Sequence, residues 1–203
     1  FAISSRVGSR SIRAVMASCF AFSCCRSCGG RSDSALAVCS GCMHFPPAPH
    51  IDAVAVLEYC GTARTLIRQM KFGNRPELAR PLAMLAVEKL RESAMEFDVI
   101  VPVPLHWQRL LKRTYNQTEL LASLIASETG KPMIKALKKV RATPHQSRLK
   151  KSKRQKFLKN CFALRDPAVK GKTVLLVDDV FTTGATVSTA AKELLKNGAG
   201  YVK

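Results

Sequence analysis

The sequence predicts an α/β domain with a largely parallel sheet. Three observations carry that expectation. Short apolar runs alternate with stretches of helical periodicity, Pro and Gly punctuate the joins, and the last run, Val174–Val177, ends on two acids followed by a Thr- and Gly-rich turn. With 203 residues, 47% of them hydrophobic, the chain can bury one ordinary core plus a small satellite module. No apolar run approaches the roughly 20 residues that a membrane-spanning helix needs, so a soluble protein is expected.

Residues 1–20 carry Arg6, Arg10 and Arg13, several serines and no acid, and read as a disordered leader. A targeting segment is the alternative, and Met16 is a candidate true start. The chain opens on Phe1 and stops at Tyr201–Lys203 in what reads as the beginning of another strand, so both ends are expected to be incomplete.

Residues 21–48 form the expected satellite. Cys25-x-x-Cys28, ten intervening residues, then Cys39-x-x-Cys42 suit a tetrahedral structural zinc, because each pair sets two thiolates on one tight turn. Four thiolates leave no open position for water, which makes the zinc a scaffold. Two disulfides in an oxidising compartment are the alternative, and a redox C-x-x-C would want a strand-to-helix setting. Cys24 competes with Cys25 as first ligand, whereas Cys19, Cys60 and Cys161 read as ordinary small residues. Phe45–Pro49 is a Pro-rich linker.

The main domain is expected over 51–203. Ile51–Leu57 reads as a strand, Leu66, Ile67 and Met70 mark a helix, and Leu78, Leu82 and Leu85 mark another. Val99–Val101 is a short buried strand closed by Pro102 and Pro104. Asn116 and Glu119 have the spacing of a capping box ahead of a helix with Leu120, Leu121, Leu124 and Ile125. Thr173–Val177 is the last full strand. Val187, Ala190, Ala191 and Leu194 mark the helix after it, with Gly198 past its end.

In such sheets the ligand crevice lies beyond the carboxyl ends of the strands, which is where Asp178 and Asp179 fall. Thr182, Thr183, Gly184, Ala185 and Thr186 then open a helix, where free N–H groups and the positive end of the dipole attract anions. Carboxylates for vicinal hydroxyls beside a loop for a phosphate ask for a ligand such as a ribose 5-phosphate. Neither G-x-G-x-x-G nor G-x-x-x-x-G-K occurs.

Formal net charge is +19, and 131–172 holds fifteen Lys or Arg against one acid, Asp166. A solvated face or a lid, capture of a polyphosphate ligand, and contact with a nucleic-acid backbone all suit such a run. Phe157 and Phe162 are its only aromatics, which argues against base stacking.

The stretch Val174–Thr186 resembles the phosphoribosyl-pyrophosphate (PRPP) motif of type I phosphoribosyltransferases. Together with the cysteine knuckles, Tyr59–Ala83, Asp98–Leu121 and Val140–Leu149, it looks like the ComF/GntX family of competence-associated proteins over about residues 25 to 202. The resemblance implies a type I phosphoribosyltransferase fold with an N-terminal zinc-ribbon module, in a bacterial cytoplasmic protein linked to DNA uptake. It implies that Asp178 and Asp179 hold the ribose hydroxyls, that Thr182, Thr183, Gly184, Ala185 and Thr186 hold the 5-phosphate, and that Pro104, Leu105 and Arg109 form the pyrophosphate loop. Magnesium would accompany PRPP, with substrate oxygens among its ligands. Arg148, Lys150, Lys151, Lys153, Arg154 and Lys156 are candidate lid or single-stranded DNA contacts, and a helicase and other uptake components are candidate partners. The family usually has Gly-Phe-Asn-Gln where this chain has Thr114-Tyr-Asn-Gln117, and an Asn of the later basic segment is replaced near Phe157.

Two functions follow from different classes. One is a PRPP-binding accessory of DNA uptake. The other is a magnesium-dependent transferase that passes ribose 5-phosphate from PRPP to an unidentified nucleophile.

Overall fold

The computed structural model describes residues 52–141, 160–181 and 184–203. The expected leader at 1–20, the zinc-ribbon module at 21–48 and the basic residues Arg148 to Lys156 lie outside the described residues, as do Thr182 and Thr183.

Three strands form a parallel sheet in the order β1 (Val99–Pro102), β4 (Thr173–Val177), β5 (Tyr201–Val202). The register pairs Val99 with Val174 and Pro102 with Val177, so the two longer strands end at one level. Along the other edge of β1, Ile100 N–H donates to the Pro132 carbonyl at 2.9 Å and the Ile100 carbonyl accepts from Ile134 N–H at 2.8 Å. The expected parallel sheet is present.

Both faces of the sheet are buried, which is why its strands read as unbroken apolar runs. Ile100 and Leu175 point to one side, into a core with Ile67 and Met70 of α1 (Gly61–Phe72), Leu82 and Leu85 of α2 (Ala79–Glu92), and Leu121 and Ile125 of α4 (Gln117–Thr129). Val99, Val101, Val174 and Leu176 point to the other, toward Ala190, Ala191 and Leu194 of α5 (Ala185–Lys196). Burying a single side chain such as Ile100 contributes about 1.5–3 kcal/mol.

The helices expected from periodicity at Leu66–Met70, Leu78–Leu85, Leu120–Ile125 and Val187–Leu194 are all present. Leu78 closes a 3-10 turn, Pro76–Leu78, that leads into α2. Three readings need correction. Residues 52–56 form no strand: Asp52 N–H meets the Val202 carbonyl at 3.2 Å, and beyond that only Leu57 makes an isolated bridge. Alternation marked an extended segment with one side inward, but a strand also needs a backbone partner along its length, which alternation does not supply.

The second correction concerns Arg109, expected in one loop with Pro104 and Leu105 but lying within the segment Trp107–Arg113. It is a helix, α3, started by His106, whose Nδ1 accepts from Gln108 N–H at 3.4 Å. The third concerns the basic run at 131–172, whose described parts are not a solvated face throughout. β2 (Leu137–Lys139) and β3 (Phe162–Leu164) pair antiparallel and bury Ala136, Leu137, Cys161 and Phe162 in the second core. Lys138 is exposed on β2, while Lys139 is half-buried with its ammonium 5.5 Å from the Phe162 ring centre, an arrangement that composition alone does not separate from a loop. Among the described residues no helix is long and apolar enough to cross a membrane.

Candidate phosphosugar site

The site begins with the sheet register. Val177 ends β4, and its carbonyl accepts the Val103 N–H at 2.9 Å, so the chain leaving β1 stays hydrogen-bonded to the chain leaving β4 for one residue past the strands. Pro104 and Leu105 follow at once. They therefore lie beside Asp178 and Asp179. Arg109 is in α3, and its side chain is outside what the structure describes.

A second set of bonds fixes this loop from below. The Val103 carbonyl accepts from Asn116 Nδ2 at 3.5 Å, and the Thr118 hydroxyl lies 2.6 Å from the same carbonyl and 2.7 Å from Asn116 Oδ1. Asn116 is the N-cap of α4, accepting from Thr118 N–H at 3.2 Å, and both residues are buried. The expected capping box is not closed. Glu119 reaches instead to Lys135 at 2.7 Å, and the backbone atom it would have served is bypassed. What looked like a helix-local device is thus a tie between α4 and the loop that follows β1.

Asp178 and Asp179 sit half-buried at the rim of a cavity of about 490 Å³ lined by Val54, Val56, Ile67, Leu121 and Leu175. Asp178 Oδ1 accepts the Asp179 N–H at 2.9 Å. Burial first, and then the adjacent Asp179 charge, push Asp178 from the usual 3.8 up to about 7, while that amide, Lys71 and Lys139 pull the other way. The Lys71 ammonium lies 2.8 Å from Asp179 Oδ1, with both side chains largely shielded from water.

Two cations therefore face the pair from the helical side. Lys71 is on the last turn of α1. Arg113, at the end of α3, packs its guanidinium 4.8 Å from the Phe72 ring centre and donates to Gln117 Oε1 at 3.2 Å. Burial lowers the Arg113 pKa and Asp179 raises it. The departures at Thr114 and Tyr115 serve the same corner: the Tyr115 hydroxyl donates to the Met70 carbonyl, and the Thr114 hydroxyl lies 3.5 Å from Asn74 Oδ1. Both bonds tie the end of α1 to the α3–α4 loop.

At the start of α5, Gly184 takes φ +68° as the N-cap, a left-handed conformation that suits glycine. Its carbonyl accepts from Ser188 N–H at 2.7 Å, the first bond of the helical ladder, so α5 starts directly after the glycine. A Cβ on Gly184 would stand 2.7 Å from Phe181 Cζ.

The structure thus brings together Asp178, Asp179, Pro104, Leu105, Gly184, Ala185 and Thr186. Cys25, Cys28, Cys39 and Cys42 and the basic residues Arg148 to Lys156 are outside the described residues. Lys71, Arg113 and Thr118 were not expected. A lysine in the last turn of a helix is commonplace because it suits the dipole, so nothing in the sequence singled out Lys71.

The Phosphoribosyl transferase domain family matches residues 62–203. The chain is 36% identical over 187 residues to the DNA utilization protein YhgH of Salmonella typhimurium, covering 89% of this chain and 82% of that protein. It is 30% identical over 191 residues to competence protein F of Haemophilus influenzae, covering 90% and 82%. Competence protein ComFC of Bacillus subtilis is 34% identical over 101 residues, 49% of this chain and 39% of that protein. A solved glutamine PRPP amidotransferase from B. subtilis, complexed with ADP and GMP, is 23% identical with a TM-score of 0.46; the match covers 67% of this chain and less than a third of that one, 29%.

Proposed function

The chain belongs to the ComF family of phosphoribosyltransferase-like proteins and carries the phosphoribosyl transferase domain. From that premise we propose that it binds PRPP and acts as an accessory in DNA uptake or use. One observation carries the ligand: two adjacent carboxylates at the end of β4 stand between a loop tied to their strand and a glycine-capped helix start. The 2- and 3-hydroxyls of a ribose would donate to Asp178 and Asp179. The 5-phosphate would take the N–H groups of α5 together with Thr182 and Thr183, and pyrophosphate would lie along Pro104 and Leu105.

The names of the relatives support the biological role, since a DNA utilization protein and competence protein F are similar over 89% and 90% of this chain, and competence protein ComFC over 49% of it. Single-stranded DNA suits the positive charge of Arg148, Lys150, Lys151, Lys153, Arg154 and Lys156, which would contact phosphates rather than bases. A helicase and other uptake components are the proposed protein partners, and the bacterial cytoplasm the proposed place.

Magnesium fits as a companion of the ligand rather than a resident. Asp179 is already paired with Lys71, and no group of three or more His, Cys, Asp or Glu side chains among the described residues is set to hold a metal. Pyrophosphate and ribose oxygens would supply its ligands, and the ion would neutralise the charge that gathers on them. The residues of the chain orient the sugar and exclude water. Structural zinc on Cys25, Cys28, Cys39 and Cys42 is supported by their spacing.

Calorimetric titration with PRPP and magnesium tests the ligand, wild type against the double variant Asp178→Asn/Asp179→Asn. Saturable binding that the variant loses is expected, and a wild type that takes up no PRPP overturns the assignment. Release of pyrophosphate on addition of candidate amines or bases would separate transfer from binding alone.

A further inference from the structure

Lys71 is the charged group that the structure adds to the site and that the motif does not contain. It is held from both sides. The carbonyl of the preceding residue, Met70, which is wholly buried, accepts the Tyr115 hydroxyl, and the following residue, Phe72, lies under the Arg113 guanidinium. Its ammonium rests 2.8 Å from Asp179 Oδ1 with only 16% of the side chain exposed. A surface lysine left to its own devices moves through many rotamers. This one is aimed by three elements: α1, the α3–α4 loop and the chain after β4.

Its valence is mostly unused. An ammonium has three donors, and among the described residues Asp179 takes one. Asp179 in turn has about four lone-pair sites on its two oxygens, so it can accept from ribose hydroxyls without releasing Lys71. A ribose held by that carboxylate carries its C1 substituent next to the 2-hydroxyl. In PRPP that substituent is pyrophosphate, which would bring anionic oxygens within reach of the two free donors.

We propose that Lys71 is a ligand-binding residue that bridges the sugar and pyrophosphate halves of the site, accepted by Asp179 on one side and donating to pyrophosphate oxygens on the other. The inference rests on the PRPP reading and makes it more specific: Lys71 discriminates a 1-pyrophosphorylated ribose from a ribose 5-phosphate that lacks the group. Carboxylate and cation act as one unit, so that the site selects the activated sugar over its hydrolysis product.

The test compares two ligands on one protein. Affinities of PRPP with magnesium and of ribose 5-phosphate are measured by calorimetry for wild type, Lys71→Met and Lys71→Arg, with thermal melts confirming that each variant folds. Lys71→Met should lower PRPP affinity at least tenfold and change ribose 5-phosphate affinity less than threefold, and Lys71→Arg should restore part of the preference. Equal losses for both ligands would make Lys71 only a prop for Asp179 and overturn the bridge, as would no change for either. A wild type that binds neither ligand fails at the earlier step, the PRPP reading itself. A wild type that binds both with an intact preference in Lys71→Met overturns this inference alone.

Discussion

The Val103 amide donates to the Val177 carbonyl at 2.9 Å, which binds the chain after β1 to the chain after β4 just before each turns into the site. The Val103 carbonyl faces Thr118 at 2.6 Å. Replacing Thr118 with Val keeps the shape and removes that buried hydrogen bond. A loss of about 1–3 kcal/mol in denaturant unfolding is expected, together with weaker PRPP binding. Glu119→Ala, by contrast, breaks only the exposed contact with Lys135 and should cost less than about 1 kcal/mol. Similar losses for the two variants would contradict the role given to the loop tie.

Thr114 adopts φ +63°, a left-handed conformation that favours glycine. A β-branched residue there costs about 1–2 kcal/mol against glycine. Its hydroxyl contacts to the Arg113 carbonyl at 2.5 Å and to Asn74 offset part of this. Thr114→Gly should leave stability level or raise it by about 1 kcal/mol, read as the shift of the urea midpoint. A clear drop would mean that the hydroxyl contacts outweigh the backbone strain.

Gly184 makes the opposite case. Gly184→Ala meets both the φ of +68° and the Phe181 ring at 2.7 Å. It should destabilise by about 1–3 kcal/mol and weaken phosphate binding, since the helix start would shift. Adding Phe181→Ala should recover the steric share and leave the conformational share, so the double variant falls between wild type and Gly184→Ala in a thermal melt.

Asp178 titrates at about 7 in the folded chain against 3.8 for the free side chain, with burial as the leading cause. The folded state therefore holds this proton more tightly than the unfolded state. Stability is expected to fall as pH rises between these two values, by at most about 1.4 kcal/mol per pH unit from this group, and its contribution is level outside them. Asp178→Asn should be more stable than wild type at pH 8, with the advantage gone near pH 4, even though ligand binding is lost. Equal melting curves across that range would contradict the burial of the charge.

For the nucleic-acid role, neutralising Lys150, Lys151, Lys153, Arg154 and Lys156 with Gln should flatten the salt dependence of single-stranded DNA binding. The slope of log K against log salt falls by about 0.7 for each phosphate contact removed. Fluorescence anisotropy with a labelled oligonucleotide at several salt concentrations reads it, and an unchanged slope would move the DNA contact elsewhere.

Residues with one job were legible in the sequence. Val99–Val101 and Thr173–Val177 read as strands because each is apolar on both faces, and Gly198 marked a helix end because φ +94° suits little else. Asp178 and Asp179 stood out because adjacent acids at a strand end have little structural reason to exist. Residues that serve two elements were not legible. Asn116 looked like a cap and is one, yet its amide also reaches across to Val103. Lys71 looked like a helix-end lysine, and its meeting with Asp179 spans more than a hundred residues of chain, which no local pattern records. Residues 52–56 failed as a strand for the same reason: pairing depends on a neighbour rather than on the segment itself.

The shared level at which β1 and β4 end has an evolutionary reading. Backbone groups set the place where Pro104 and Asp178 come side by side, and every residue type but proline can donate to the ladder. Side chains in either loop can therefore be exchanged one at a time without moving the loops apart. The address of the site is inherited separately from its contents, so relatives of this chain can keep the grip on a phosphosugar while changing, or abandoning, what they do with it.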